Sequence, residues 1–467
     1  MHDTREQSFL PDYVLNEGKV ISDTAVVCDS SGRIVRLAPA ADAPNVTRLP
    51  NRALFPGLVN AHSHAFQRVI RGRTEYRSAL ATDSFWTWRE LMYAAANKLD
   101  ADDIYATSRM AFMEMALSGI TAVGEFHYIH HAPGGKQYSD PNLLEKAVIR
   151  AAYDVGLRIA LLRVAYVRAG YELEPNPLQI RFIEDSSETY LKNLENLVDD
   201  LAAYGDKAWA GIAPHSVRAV PLDYLKRIVQ FGGERGLPVH MHVAEQPAEV
   251  SACIQEYQRS PIALLDTEGL LSERFTAIHA IHVTPKAIQA IEQAHSLVCA
   301  CPTTERNLGD GVVPVDAYFK AGVRVSLGSD SQTQIDLLED ARELEYHLRL
   351  QRSERNVLAP AGEHDVSGLA RRLFECATLN GAASIGFAGG RLEAGSPADF
   401  LTVDLDDASV AGASAHDLLP TIVFSLSRTA VRDVFVSGER IVKDGRHAKQ
   451  DEIVAEFKRV QRNLWAS

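Results

Sequence analysis

The stretch Ala53-Leu-Phe-Pro-Gly-Leu-Val-Asn-Ala-His-Ser-His64 ends an apolar run in two histidines one residue apart. Alternation along an extended strand puts both imidazoles on one face. Two neutral imidazoles aimed at one point make half of a metal site. Residues of matching chemistry recur along the chain: Glu125 and His127, His215, His240 with His242 and Glu245, His279 with His282, and Asp330. His62, His64, a histidine from the 240/242 pair and Asp330 would supply three imidazoles and one carboxylate. That donor set suits zinc or another borderline first-row metal. Singly, each reads as well as a hydrogen-bonded core histidine or, for Asp330, a helix cap before Ser331. Their joint placement favours the metal.

Placing such residues around one point demands a particular scaffold. From about 56 to 390 the chain alternates strand-like runs with helical stretches. Eight runs are counted: Leu54 to His64, Ile120 to Tyr128, Arg158 to Tyr166, Ala208 to Val217, Pro238 to Glu245, Phe275 to Val283, Ser296 to Cys301 and Val323 to Asp330. Helical spacing fills the intervals at Asp102 to Ser118, Leu143 to Val155, Ser187 to Ala203, Leu222 to Arg235 and Pro285 to Ala294. Eight β-then-α units predict an α/β fold, a (β/α)8 TIM-type barrel, whose site lies at the C-terminal ends of the strands. The candidate residues fall at those ends. A doubly wound open sheet is the alternative, but no Gly-rich phosphate loop follows the first run.

The flanks read differently. Residues 1–55 carry short strands and a turn at Asp29-Ser-Ser-Gly32, and 391–467 carry Ala398 to Asp404 and Val431 to Val442 before a tail of helical spacing. Alternating apolar residues around such turns describe hairpins, so both termini are expected to build one small β-sandwich domain, with a terminal helix. The barrel domain is expected over 56–390.

The 467 residues have a formal net charge of −13, which repels phosphate backbones and argues against nucleic acid. Five scattered cysteines suggest no disulfide framework, and a reducing cytoplasm is the expected setting. No apolar run approaches eighteen residues and the N-terminus lacks the pattern of a signal peptide, so neither export nor a membrane is expected. Pro133-Gly134-Gly135 marks a loop after the second run.

The motifs Pro56-Gly-Leu-Val-Asn-Ala-His-Ser-His64, His242-Val-Ala-Glu245, His279-Ala-Ile-His282, Leu327-Gly-Ser-Asp330 and Gly390-Arg-Leu-Glu-Ala-Gly-Ser-Pro-Ala-Asp-Phe400 together resemble the amidohydrolase superfamily over almost the full length. The resemblance is to its mononuclear deaminase branch. It implies one divalent metal per chain, expected to be zinc, held by His62, His64, His242 and Asp330. The His-x-x-Glu spacing of that branch fits His242 with Glu245 and leaves His240 a supporting or packing role. Where binuclear members carry a bridging lysine, the fourth run ends in Ala213-Pro-His215.

More narrowly, Ser63-His-Ala-Phe-Gln-Arg68, Asp83-Ser-Phe-Trp-Thr-Trp-Arg-Glu90, Gly124-Glu-Phe-His-Tyr128 and Ala213-Pro-His-Ser-Val-Arg-Ala-Val220 look like the formimidoylglutamate deiminase family. This implies hydrolytic deimination of N-formimino-L-glutamate to N-formyl-L-glutamate and ammonia in histidine degradation, by a homodimer. A small substrate with two carboxylates needs local cations, and Arg218 with His215, and Arg89, are the candidates. Gln67 and Tyr128 would add neutral hydrogen bonds. Arg68, Arg71 and Arg73 are read as solvated or interface charges. In the implied chemistry Asp330 takes a proton from a metal-acidified water, His279 orients the attacking oxygen, and Glu245 carries a proton to the departing nitrogen. Two other readings are a deaminase of a purine, pyrimidine or triazine ring, whose pocket would want stacking aromatics and few arginines, and a non-catalytic scaffold on the same fold.

Overall fold

The computed structural model describes residues 6–77, 83–174, 176–362 and 365–466. Eight parallel strands form one sheet in chain order: β1 (Leu58–Ser63), β2 (Ile120–His127), β3 (Arg158–Ala165), β4 (Ala208–Pro214), β5 (Val239–Val243), β6 (Phe275–His279), β7 (Leu297–Ala300) and β8 (Val325–Leu327). Nearly every residue on them is buried, as expected where helices cover the outside and side chains fill the inside. The seam between β1 and β8 closes just past the strand ends. There the Asp330 N–H donates to the His62 carbonyl and the His64 N–H to the Asp330 carbonyl, both at 3.0 Å. Closure of the barrel and convergence of the candidate metal donors are the same event.

The outer helices follow from amphipathic spacing. Leu143–Val155 buries Leu144, Ala147, Val148, Ala151, Ala152 and Val155, a stripe three to four residues apart, and stops at Gly156 with φ 95°. Ser187–Leu201 begins where the Ser186 side chain accepts the Thr189 N–H.

The termini form a second, nine-stranded sheet. Val46–Pro56 lies at its centre, parallel to Gln7–Asn16 and antiparallel to Phe400–Asp404, so the two ends of the chain are neighbours. This sheet has its own small core, in which the Phe9, Phe400 and Phe435 rings lie 4.6–5.1 Å apart. This separate sheet, continuous in its hydrogen bonding, fits the small β domain expected from the two termini. Buried Arg158, at the start of β3, ties the two sheets together by donating to Asp399 (2.7 Å) and to Ser437 (2.6 Å). The terminal helix Gln450–Trp465 packs on Ala101–Leu117, where Arg109 pairs with Glu452 and Glu456.

The fold is therefore a (β/α)8 barrel with a separate sheet drawn from both termini. Two details differ from expectation. The run Leu54 to His64 is two strands: residues through Pro56 belong to the terminal sheet and β1 starts at Leu58. Gly57 lies between them, where a Cβ would stand 2.3 Å from Thr121 Oγ1. The barrel strands are also shorter than their apolar runs. The chain leaves extended geometry at Ala244 (φ 53°), His279 (φ 69°), Ala280 (φ 48°) and Asp330 (φ 47°). Left-handed backbone is costly for such residues and is typical of functional sites. Among the described residues no helix is long and apolar enough to cross a membrane.

Candidate active site

His62, His64, His242 and Asp330 converge at the C-terminal mouth of the barrel, with one donor atom from each within 4.8 Å of the others. Asp330 Oδ1 is 3.4 Å from His62 Nε2 and 3.3 Å from His64 Nε2. His62 Nε2 and His242 Nε2 face each other at 3.2 Å. Backbone carbonyls settle two tautomers: His64 Nδ1 meets Phe126 O at 2.8 Å and His242 Nδ1 meets His215 O at 3.1 Å. A carbonyl only accepts, so each Nδ1 carries the proton and each Nε2 keeps its lone pair for the centre. His62 Nδ1 is buried without a hydrogen-bond partner. Lone pairs converging beside a carboxylate are a cation's donor set, and three imidazoles with one carboxylate suit a divalent metal.

Electrostatics favour the ligating forms. Burial lowers the pKa of His62 to about 3 and pushes His64 and His242 down as well, so all three stay neutral. Burial alone would raise Asp330, but the hydrogen bond with His62 and the neighbouring His279 hold it well below the ordinary carboxylate range.

Beside this cluster, His279 Nε2 is 3.8 Å from both Asp330 Oδ2 and Glu245 Oε1. Burial raises Glu245 to about 7, with His279 opposing and Asp330 adding to the rise. His279 is raised despite its burial, because carboxylates flank it on both sides.

One pocket contains Gln67, Arg89, Tyr128, His215 and Arg218 together with His64, His242, Glu245, His279 and Asp330. Arg89 comes from the helix Phe85–Ala96 and stacks over Trp86, 4.4 Å from its centroid. Arg218 donates through one terminal nitrogen to Ala169 O (2.6 Å) and Tyr166 Oη (3.3 Å). Gln67 donates to Tyr128 Oη at 3.0 Å, and its own Oε1 is buried without a partner. Arg218 helps hold His215 neutral, after burial as the larger cause.

Other residues at the strand ends serve elsewhere. Glu125 accepts from Ser63 Oγ (2.5 Å) and the Ala65 N–H (2.7 Å), anchoring the turn after β1, and burial raises it to about 8. His127 turns to Ile129 O, His240 to Ser384 O, and His282 to Asp310 O. Arg68 and Arg71, expected as solvated or interface charges, are instead paired inside the chain. Both grip Glu114 at 2.7 Å and thereby fix the segment carrying Gln67, while Arg73 stacks over Trp465.

Two features escaped the sequence reading. Phe126 packs 4.5–5.4 Å from the rings of His62, His64 and His242. It alternates with Glu125 and His127 and shares the parity of Tyr128, so the two-residue period could have found it. Tyr93 also lines the pocket, one helical turn beyond Arg89, a spacing that places both on one face. Its hydroxyl and that of Tyr166 both accept from buried Gln179, at 2.9 and 2.6 Å.

The profile of the Amidohydrolase family matches residues 53–441. The chain is 37% identical over 432 residues to a formimidoylglutamate deiminase of Pseudomonas aeruginosa, covering 92% of this chain and 93% of that one. It is 26% identical over 459 residues to a 5-methylthioadenosine/S-adenosylhomocysteine deaminase of Halobacterium salinarum, covering 97% and 94%. Among solved structures, an amidohydrolase from Brucella melitensis superposes with a TM-score of 0.90 at 32% identity, covering 98% and 99%. An adenosine deaminase from Xanthomonas campestris, solved with bound zinc, gives 0.83 at 22%, covering 99% of each chain. With its site placed at the barrel mouth, as the fold requires, the chain belongs to the amidohydrolase family and is a hydrolase acting on C–N bonds.

Proposed function

We propose that the chain hydrolyses N-formimino-L-glutamate to N-formyl-L-glutamate and ammonia, a step of histidine degradation, with one zinc ion held by His62, His64, His242 and Asp330. The observation that carries this reading is the presence of two guanidinium groups, Arg89 and Arg218, in the pocket that also contains His64, His242 and Asp330. Guanidinium binds carboxylate in a two-pronged geometry, and this substrate has two carboxylates. The identity to the Pseudomonas deiminase supports the same choice. A homodimer in the cytoplasm, with the barrel domain over 56–390 and the small domain over 1–55 and 391–467, belongs to this reading.

The bound cation would supply the Lewis acidity that makes water a nucleophile near neutral pH. The protein does the rest. Asp330 Oδ1 lies among the imidazoles, while Oδ2 faces His279 and takes the proton from the attacking water. His279 Nε2 hydrogen-bonds the attacking oxygen as it approaches the formimino carbon. Glu245, held near 7, passes a proton to the nitrogen. The remaining hydroxyl proton then passes through Glu245 to the same nitrogen as the C–N bond breaks, so that ammonia leaves, the carbon keeps the oxygen as a formyl group, and Asp330 returns its proton to Glu245. Arg89 and Arg218 hold the carboxylates, with His215 beside Arg218, and Gln67 and Tyr128 position the amidine.

A second reading, deamination of a heterocyclic ring, draws on the aromatic lining from Phe85, Trp88, Tyr93 and Tyr128. Ammonia release measured with formiminoglutamate beside a panel of purines, pyrimidines and triazines separates the two. Turnover of the amidine with none of the rings supports the deiminase; preference for a ring overturns it.

A further inference from the structure

Behind His279, on the side away from the pocket, lies a carboxylate that the chemistry above leaves unused. Glu305 belongs to the helix Pro302–Leu308 and is only 1% exposed. Its Oε1 accepts the Cys301 N–H at 2.9 Å and lies 3.2 Å from His279 Nδ1. Since Oε1 already accepts the Cys301 N–H, it is the acceptor here too, and this contact places the proton on Nδ1. The ring's other nitrogen, Nε2, then points at Glu245 Oε1 and Asp330 Oδ2, 3.8 Å from each. The backbone beneath the ring is in left-handed geometry at His279 and again at Ala280, where residues with a Cβ are disfavoured.

We propose that Glu305 is a positioning residue, whose carboxylate holds the Nδ1–H and the ring angle of His279 so that Nε2 meets the attacking oxygen. This rests on the assignment of His279 to the reaction. Glu305 touches no substrate and acts through His279 alone. The competing explanation is that Glu305 only caps its own helix through the Cys301 N–H.

A double-mutant cycle with formiminoglutamate separates the two, with bound zinc measured in every variant. For Glu305→Ala the expected result is a fall in kcat of about 10–100-fold, the size seen when a carboxylate behind a metal-bound histidine is removed. KM should stay within about twofold and bound zinc should be unchanged. Glu305→Gln should restore most of kcat, because the Cys301 N–H keeps the amide oxygen in place and that oxygen still accepts from Nδ1. In a His279→Ala background, Glu305→Ala should cost nothing further. Losses that multiply in the double variant, or a lower Tm with kcat retained, would overturn the proposal. Near-normal kcat in His279→Ala alone would instead remove the assignment of His279, and the role of Glu305 with it. Should the Glu305 variants fail to fold, nitrogen NMR of histidine rings in the wild-type protein decides, with His279 assigned by its loss in His279→Ala. A proton on Nδ1 supports the proposal, and a proton on Nε2 alone refutes it.

Discussion

Replacing Arg218 with Met keeps an unbranched apolar stem and removes the donors beyond it. One terminal nitrogen is already engaged by Ala169 O and Tyr166 Oη, which leaves the other edge of the fork free for a carboxylate. A hydrogen bond to a charged group contributes about 1.5–3 kcal/mol, so a two-pronged contact contributes about 3–6 kcal/mol. At about 1.4 kcal/mol per factor of ten, kcat/KM for formiminoglutamate should fall roughly 10²–10⁴-fold. The assay is ammonia release with three substrates: formiminoglutamate, N-formimino-4-aminobutyrate, which lacks the α-carboxylate, and N-formiminoglycine, which lacks the distal one. The wild type should penalise both truncated substrates. Arg218→Met should lose the penalty against one of them, because the missing carboxylate is the one its guanidinium held, and keep the penalty against the other. A variant that discriminates against both as strongly as the wild type would refute the role given to Arg218.

Three further outcomes follow from the geometry. His242→Ala should lower zinc bound per chain at equal added metal, read by elemental analysis, because one of four converging donors is gone; unchanged zinc would point to another ligand. Burial opposes ionisation of Glu184, yet Arg163 lowers it from 4.5 to about 2. A depressed carboxylate stabilises the fold above its unfolded pKa and loses that contribution as pH falls through the folded value, here from about 4.5 to about 2, an amount of about 3 kcal/mol. The Tm of the wild type should fall across that window, and Glu184→Gln should start lower at neutral pH and fall less steeply. Gly57→Ala should lower Tm, because its Cβ meets Thr121. Gly233→Ala, in the helix Leu222–Arg235 with nothing within 4 Å, should raise stability by about 0.5–1 kcal/mol. Calorimetry of the pair checks both signs.

Much of this architecture was legible because it rests on short-range pattern. The helix Leu143–Val155 starts and stops where its apolar spacing does. His62 and His64 share a face because they are two residues apart on the approach to a strand end, and Asp330 joins them because a barrel must close β8 onto β1. What lay outside the sequence reading depends on geometry that no local pattern carries. Counting Glu125 and His127 with the site ignored strand parity, which turns them aside and sends Phe126 inward. Arg68 and Arg71 looked solvated because their partner, Glu114, lies more than forty residues along the chain. Gly57 ends one sheet and precedes another within a single apolar run, and only the approach of Thr121 reveals the break. Glu305 reaches His279 only after the backbone at His279 has turned left-handed, which no residue type near it signals.

The central claim is tested most directly by steady-state ammonia release from N-formimino-L-glutamate, measured with the zinc-loaded protein, after chelation and after zinc is returned. The zinc-loaded protein should show a kcat/KM in the ordinary enzymatic range, about 10⁴–10⁸ M⁻¹s⁻¹, lost on chelation and regained with zinc. Undiminished turnover by the metal-free protein, or no turnover of this amidine by the zinc-loaded one, would contradict it.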